Sequence, residues 1–326
     1  MTDKRHPFDK LTPDFIMDAV ESIGYRCDCR IIPLNSYENR VYQVGIEESE
    51  PLIVKFYRPD RWTQEQIQEE HEFCFELVDQ ELPVVAPIIG STGNSVFEYE
   101  GFLMALFPRK GGHAPEFDND DNLLIIGRLL GRLHRIGQAK RFTHRPTINI
   151  DSYGHESVAL IQSRYIPNEY RESYDGTTSE LLRQIESIIA QTNINNLRVH
   201  GDFHSGNMLW RDDNPHFVDF DDARMGPAIQ DIWMLLSGDR LRQMVQIDII
   251  LEGYEQFHTF NPLELRLIEV LRTLRMLQFS AWLGNRWDDP AFPAAFPWFN
   301  TVQYWGEHIL QLREQLGAIQ EPALSL

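Results

Sequence analysis

Acidic and amide side chains are concentrated between Leu197 and Pro227, in a stretch without helical periodicity. Asp202, Asn207 and Asp219 lie beside short β-like runs in this stretch. Transfer of a phosphoryl group requires a carboxylate that accepts or orients the proton of the attacking hydroxyl, and hard oxygen ligands that hold Mg²⁺ against the phosphates. We therefore predict Asp202 as the catalytic base, and Asn207 and Asp219 as the metal ligands.

Other polar residues of this region are predicted to position the reacting groups. His200 and His204 are expected to orient the loop by hydrogen bonds, and Asp231, at the start of a helical pattern, is expected to tie the loop down. Asp221 and Asp222 leave two interpretations open: one of them approaches a second metal ion, or both are solvated.

A lysine inside an apolar strand pattern is predicted to bind ATP. Lys55 lies in IVKFYRP with apolar neighbours on both sides, and a lysine there is costly unless it is paired. Nucleotide kinases place such a lysine on the α/β-phosphates. Glu70, on the buried face of the next helical pattern, is the predicted partner in preference to Glu69. The alternative is a lysine at a strand edge whose amine reaches solvent.

Two further segments are predicted to contact ATP by their position. No GxGxxG loop precedes the first hairpin; LNSYENRVYQV stands there instead. Its backbone N–H groups and the Ser36 hydroxyl suit phosphate oxygens, although an ordinary polar turn is an equal alternative. The segment MALFP, which contains Phe107, lies where the two halves of the chain join, so its backbone is expected to meet the adenine edge.

Hydrophobic periodicity divides the chain into two lobes that would position these residues. Residues 1–107 contain short strand patterns around one central helical pattern, after an N-terminal helix capped by Thr12, and predict a compact antiparallel sheet. Pro108 and the Gly-Gly pair that follows mark a hinge at 108–112. Residues 113–326 are mostly helical in pattern. The predicted fold class is α+β, with a small β-rich N-lobe and a large, mainly helical C-lobe.

Composition disfavours several kinds of partner. The 326 residues carry a formal net charge of −19, whereas binding to nucleic acid requires a basic face. No apolar run approaches the roughly 20 residues of a membrane-spanning helix, and the polar N-terminus does not resemble a secretory signal. The three cysteines form no disulfide framework. These features favour a cytoplasmic protein, and we expect a monomer without nucleic-acid or membrane partners.

The motif around Asp202 resembles that of a known superfamily. HGDFHSGN matches the HGDxHxxN motif of the aminoglycoside and choline phosphotransferases, and VDFDDARMGPAIQD matches their downstream segment. The resemblance implies a bilobal protein-kinase-like fold of the aminoglycoside phosphotransferase type, with ATP as co-substrate and Mg²⁺ as cofactor. Carried over by position, it gives Asp202 the role of base and makes Asn207 and Asp219 the metal ligands.

Nearly the whole chain is more similar still to the stress response kinase A family. This resemblance rests on segments outside the catalytic motifs, among them PLNSYENRVYQV, VKFYRPDRWTQEQIQEEH, HRPTI and WDDPAFPAAFPW. It implies a protein serine/threonine kinase that acts in a stress response, with a protein Ser/Thr hydroxyl as acceptor. It also places Ser36 at a position that the family associates with ATP.

Two other functions stay open on the residues alone. A small-molecule kinase that acts on an aminoglycoside, choline or homoserine-like hydroxyl uses the same residues, and an acidic cleft would suit a cationic acceptor. The third function is a nucleotide-binding regulator without catalysis, which the intact Lys55 and acidic set disfavours.

The acceptor surface has no obvious motif, because VDFDDARMGP runs almost directly into a helical pattern and leaves hardly any activation segment. A group of aromatic residues near the C-terminus either lines an acceptor cleft or forms the core of the C-lobe. These are Trp282, Trp287, Phe292, Phe296, Trp298 and Trp305.

Overall fold

The computed structural model describes residues 6–211 and 214–325, which form two compact units. The first unit contains the chain up to Glu116, together with Phe142–Arg145 and His204–Ala223. The second contains Phe117–Arg141, Pro146–Phe203 and the chain from Arg224 onwards. The lobe boundaries expected at 107 and 113 stay predictions.

The first unit is built on an antiparallel sheet that has five strands in the described part of the chain. The strands are β1 (Cys27–Leu34), β2 (Arg40–Ile46), β3 (Leu52–Phe56), β4 (Phe97–Tyr99) and β5 (Phe102–Pro108). Their order is β1-β2-β3-β5-β4, so β3 lies at the centre. Lys55 on β3 pairs in register with Val41 on one side and Ala105 on the other, which rules out a strand-edge lysine.

Two helices accompany this sheet, and each is preceded by a threonine that caps its N-terminus. In α1 (Pro13–Glu21) the Thr12 hydroxyl accepts a hydrogen bond from a first-turn N–H group. In α2 (Gln64–Asp79) Thr63 and Gln66 form a reciprocal capping box, which satisfies two backbone donors that the first turn leaves without a partner. The apolar periodicity of α2 buries Phe73 and Leu77, and it carries Glu70 inward with them.

Four short strands carry the turns that hold the predicted catalytic residues. They are β6 (Leu197–Val199), β7 (Met208–Arg211), β8 (Asn214–Phe217) and β9 (Arg224–Gly226). In the second unit β6 pairs with β9, and in the first unit β7 pairs with β8, both antiparallel. The turn after β6 carries Asp202 and the turn after β8 carries Asp219.

The second unit is mainly helical, as its periodicity predicts. Its helices are α3 (Asp120–Ala139), α4 (Glu156–Arg164), α5 (Arg171–Gln191), α6 (Arg240–Tyr254), α7 (Ile268–Asn285), α8 (Ala291–Ala295) and α9 (Val302–Ala318). Gly127 and Gly131 let α3 approach α6 closely, since a Cβ atom at these positions would lie 2.1 Å from Ile250 O and 2.3 Å from Tyr254 O.

The aromatic residues near the C-terminus divide between core and surface. Trp305 and Phe292 are completely buried in the core between α5, α7 and α9. Trp298, in contrast, keeps 42% of its surface exposed. The core interpretation is therefore correct for the first two, but it does not describe Trp298. Within the described residues, no helix is both long enough and apolar enough to cross a membrane.

Candidate active site

Lys55 is buried at the centre of the sheet and holds two aspartates of the first unit. Its Nζ lies 3.1 Å from Asp219 Oδ1 and 2.9 Å from Asp221 Oδ1. Burial alone would lower the pKa of the Lys55 amine, but the two carboxylates outweigh it and hold that pKa well above its usual value. The amine is therefore a fixed cation that is joined to a predicted metal ligand.

Glu70 lies on the buried face of α2, as predicted, but its ion pair is with an arginine. Arg145 Nη1 is 3.3 Å from Glu70 Oε2, and both side chains are buried. Burial raises the pKa of Glu70 to about 7, although Lys55 and Arg145 act in the opposite direction. Glu69 instead accepts hydrogen bonds from the backbone of His144 and Arg145 at 2.9 and 2.8 Å. The Lys55–Glu70 pair expected from the sequence is thus replaced by Lys55 with the aspartates and Arg145 with Glu70.

The turn after β8 gives its aspartates different environments. Asp219 adopts a left-handed conformation with φ of 59°, which is unusual for a residue other than glycine. Its side chain is 55% exposed, so that one oxygen contacts Lys55 while the carboxylate still reaches solvent. Phe220 anchors the turn by packing against Phe73 of α2 at a ring distance of 6.0 Å. Such an exposed, fixed carboxylate suits a hard cation.

Asp221 and Asp222 are both held by Arg61. Arg61 Nη1 lies 2.9 Å from Asp221 Oδ2, and Nη2 lies 2.8 Å from Asp222 Oδ1. The Asp221 side chain is only 5% exposed, whereas that of Asp222 is 35% exposed. Solvation, one of the two interpretations that the sequence left open, is therefore wrong for Asp221, which is a buried member of the Lys55 and Arg61 network.

Asn207 is connected to the Asp219 turn through the backbone. The N–H of Val218, the residue before Asp219, donates to Asn207 O at 3.0 Å. His204 Nδ1 accepts from Gly206 N at 3.0 Å and so shapes the short turn that ends in Asn207. Among the described residues, no cluster of three or more His, Cys, Asp or Glu side chains is suited to a metal. An amide oxygen and an exposed carboxylate are hard ligands of the kind that Mg²⁺ takes together with waters and substrate phosphates, and the role of Asn207 and Asp219 as such a pair stays a prediction.

The loop before β2 is held by arginines of the same unit. The Ser36 hydroxyl donates to Asn39 O at 3.3 Å. Arg58 Nε lies 3.1 Å from Glu38 Oε1, and Arg61 Nη1 lies 3.3 Å from Glu38 Oε2. These contacts order the segment predicted to cover phosphates, and the contact of Ser36 with ATP stays a prediction.

Phe107 lies near the end of β5, paired in register with Ile53 and half-buried. Its ring packs edge-on against His71 of α2 at 6.3 Å. The backbone position that the sequence suggested for the adenine edge thus belongs to an ordered strand, and the contact itself stays a prediction.

In the second unit, Asp231 is buried beneath the turn that carries Asp202. Its two oxygens accept from the N–H groups of His200 and Gly201 at 2.7 and 2.8 Å, and His134 Nε2 lies 3.1 Å away. Gly201 takes a left-handed φ of 87°, which a glycine adopts without strain. The Asp202 N–H faces His200 Nδ1 at 3.4 Å. These contacts fix the backbone of the turn, and with it the position of Asp202.

The Asp202 carboxylate lies against an arginine of α7. Arg275 Nη1 is 2.6 Å from Asp202 Oδ1, and the side chains are 43% and 22% exposed, respectively. Asp202 is therefore an accessible carboxylate beside a fixed positive charge. This pair lies entirely within the second unit.

Sequence reasoning missed three arginines of these sites. Arg61 and Arg145 belong to the segments VKFYRPDRWTQEQIQEEH and HRPTI, and the available signal was that both segments are among those that carry the resemblance to the stress response kinase A family. Arg275 had no local signal, because it belongs to a helix 73 residues beyond Asp202 in the chain. Each arginine acts by pairing with a carboxylate that is distant in sequence.

The chain has relatives among the known phosphotransferases. A model of the phosphotransferase enzyme family matches residues 30–268, and the chain belongs to that family. Its fold is of the aminoglycoside phosphotransferase type, as the sequence predicted. An amicoumacin kinase solved in complex with AMP-PNP and Ca²⁺ is similar in structure, with a TM-score of 0.74, 18% identity and coverage of 94% of each chain.

The resemblance to stress response kinase A is likewise confirmed. The chain is 45% identical over 327 residues to Stress response kinase A of Escherichia coli strain K12, with 100% of this chain and 99% of the relative covered. It is 44% identical, with the same coverage, to the serine/threonine protein kinase RdoA of Salmonella typhimurium strain LT2. The similarity therefore extends over the whole length, well beyond the catalytic motifs.

Proposed function

We propose that the chain transfers the γ-phosphoryl group of ATP to serine or threonine hydroxyls of a protein, as part of a stress response. The observation that carries the protein acceptor is the full-length similarity to the relative named as a serine/threonine protein kinase. The ion pair between Lys55 and Asp219, at 3.1 Å, supports the phosphoryl-transfer chemistry, because it joins a phosphate-binding cation to a metal ligand.

Each residue has one task in this mechanism. Lys55 binds phosphate oxygens, and Asn207 and Asp219 hold the divalent cation. Mg²⁺, when bound, neutralises charge on the phosphates and orients the γ-phosphoryl group. Asp202 accepts the proton of the acceptor hydroxyl. At the same time the hydroxyl oxygen forms a bond to the γ-phosphorus, and the bond between the γ-phosphorus and ADP breaks. Asp231 positions Asp202 by holding the preceding two N–H groups.

The test is transfer of labelled γ-phosphate with Mg²⁺ into the protein itself and into heat-denatured lysate proteins. A panel of amino sugars and amino alcohols runs in parallel. Wild type is compared with Asp202→Ala, and with Asp248→Ala as a control at an exposed position of α6. We expect labelled serine or threonine with wild type and the control, and a loss of roughly 10² to 10⁴ with Asp202→Ala, the range typical of a general base.

Other outcomes point to other functions. Label in a small hydroxyl compound alone would establish a small-molecule kinase. Binding of ATP with no transfer to any acceptor would establish a nucleotide-binding regulator. Turnover of Asp202→Ala at the wild-type rate would refute the assignment of the base.

A further inference from the structure

Arg275 shares one face of α7 with a group of aromatic side chains, of which Phe279 and Trp298 are exposed and Trp282 is half-buried. Phe279 and Trp282 follow Arg275 at helical spacings of four and three residues, so these side chains are neighbours on the helix surface. The ring of Phe279 stacks on those of Trp282 and Trp298 at 5.7 and 6.5 Å. We call Arg275, Phe279, Trp282 and Trp298 the α7 face.

Much of the α7 face is exposed to solvent, and Arg275, its first residue in the chain, contacts the predicted base Asp202. Phe279 and Trp298 are 40% and 42% exposed, and large exposed aromatic side chains that lie together commonly mark a binding surface. Arg275 is 43% exposed while its Nη1 contacts Asp202 Oδ1. A guanidinium group has five N–H donors, so Arg275 can hold Asp202 and bind a second anionic group at the same time.

Two carboxylates of the second unit, one on α7 and one beneath the turn of Asp202, already have partners and do not offer a site to a cationic acceptor. Glu269, also on α7, is already bonded to Arg272 at 3.1 Å and to Gln315 at 2.6 Å. Asp231 is buried and occupied by backbone N–H groups. A cationic group near Asp202 would therefore meet the Arg275 guanidinium, whereas a carboxylate would gain a charge-assisted hydrogen bond.

We propose that the α7 face is the acceptor-binding surface and that Arg275 selects a protein segment with an acidic residue beside the acceptor serine or threonine. The aromatic side chains take an apolar residue of the same segment. Arginine and aromatic side chains together are the composition that dominates binding energy in protein interfaces. The inference rests on the proposed protein kinase function, whose acceptor class it specifies.

Peptide libraries with one fixed serine test the proposal. In one library the flanking position is Asp or Glu, and in the other it is Lys or Arg, with all remaining positions degenerate. The measured quantity is the ratio of kcat/KM for the acidic library to that for the basic library. We expect wild type to prefer the acidic library by at least about tenfold, which corresponds to about 1.4 kcal/mol.

Variants separate the role of charge from that of structure. Arg275→Gln should bring the ratio close to one, Arg275→Glu should reverse it, and Arg275→Lys should retain most of it. Phe279→Ala should raise KM for both libraries several-fold while keeping the ratio. Arg183→Gln, in an exposed ion pair on α5, and Leu241→Ala, 71% exposed on α6, are the matched controls and should behave as wild type.

Equal labelling of the two libraries by wild type, or a preference that survives in Arg275→Gln, would overturn the inference and leave the protein kinase proposal standing. If neither library is labelled and an amino sugar or amino alcohol is, both proposals are refuted. Because the readout is a ratio within one variant, a general loss of activity in a poorly folded variant does not mimic the expected result.

Discussion

Replacing Arg61 with methionine is expected to destabilise the protein, because the substitution leaves a buried carboxylate with half of its counterions. The Asp221 side chain is 5% exposed and that of Arg61 is 13% exposed, with 2.9 Å between Arg61 Nη1 and Asp221 Oδ2. Removing one partner of a buried ion pair typically costs about 3–5 kcal/mol. Lys55 still lies 2.9 Å from Asp221 in the variant, so we expect the lower end, about 3 kcal/mol.

Urea unfolding followed by far-UV circular dichroism at pH 7 measures this loss, and the thermal midpoint should fall by about 4–5 °C. Arg183→Met is the matched control. Its ion pair with Glu180 on α5 is exposed, and exposed pairs contribute little to stability. We expect no measurable change in the free energy of unfolding of this control.

A double-mutant cycle identifies Asp221 as the source of the loss. Asp221→Asn removes the charge that Arg61 compensates, so the two substitutions together should cost about 2 kcal/mol less than the sum of the single ones. A loss below about 1 kcal/mol for Arg61→Met, or an additive cycle, would refute the reasoning.

The pH dependence of the same variant gives an independent check. Burial alone would raise the pKa of Asp221, but Arg61 and Lys55 outweigh it and hold that pKa well below its usual value. A depressed pKa stabilises the folded state above the unfolded pKa of about 3.9 and loses that contribution as the pH falls. The difference in stability between wild type and Arg61→Met should therefore shrink below about pH 4.

Four further substitutions test other parts of the structure. Burial lowers the pKa of His308 to about 4, so the folded protein favours its neutral form and loses stability as the pH drops from about 6.5 to about 4. His308→Gln should make this loss of stability with falling pH smaller, as measured by urea unfolding. An unchanged pH dependence would contradict the lowered pKa of His308. Gly131→Ala places a Cβ 2.3 Å from Tyr254 O and should lower the free energy of unfolding by about 1–3 kcal/mol. Gly176→Ala, with open space around it on α5, should raise the free energy of unfolding by up to about 1 kcal/mol. Equal effects of the two substitutions would count against the close packing of α3 on α6. In Asp231→Asn the single amide oxygen keeps only one of the two backbone hydrogen bonds that the oxygens of Asp231 accept. We therefore expect kcat to fall by about tenfold or more, with an unchanged KM for ATP. A raised KM with a normal kcat would show that Asp231 does not act by positioning Asp202.

Local patterns predicted the elements of the first unit closely. The alternating apolar residues of Arg40–Ile46 and Leu52–Phe56 form β2 and β3, and Thr12 caps α1 as predicted. These features depend on residues that are near one another in sequence: alternating apolar side chains, a turn between two strands and a capping box. In the second unit, the apolar stretch from Pro262 first forms a 3-10 turn, and α7 starts at Ile268.

Motifs predict candidate residues of the site, but they do not predict pairs between residues distant in sequence. Asp202, Asn207 and Asp219, whose roles stay predictions, were predicted from HGDFHSGN and VDFDDARMGP because these short segments carry the chemistry themselves. Arg275 was not, since only the packing of α7 brings it to Asp202. The burial of Asp221 also depends on tertiary structure, because the pattern FDD gives no reason to separate its two aspartates.

The partners of Lys55 show why periodicity alone does not determine a charged site. A buried lysine requires a counterion, and Glu70 was the natural choice because it lies on the inner face of α2. Four carboxylates in fact share three cations in this part of the first unit: Arg145 pairs with Glu70, and Lys55 and Arg61 share the three aspartates of the turn after β8. Because Arg145 already compensates Glu70, the Lys55 amine is directed to Asp219 and Asp221. The position of an arginine 90 residues further along the chain thus decides which carboxylate the lysine binds.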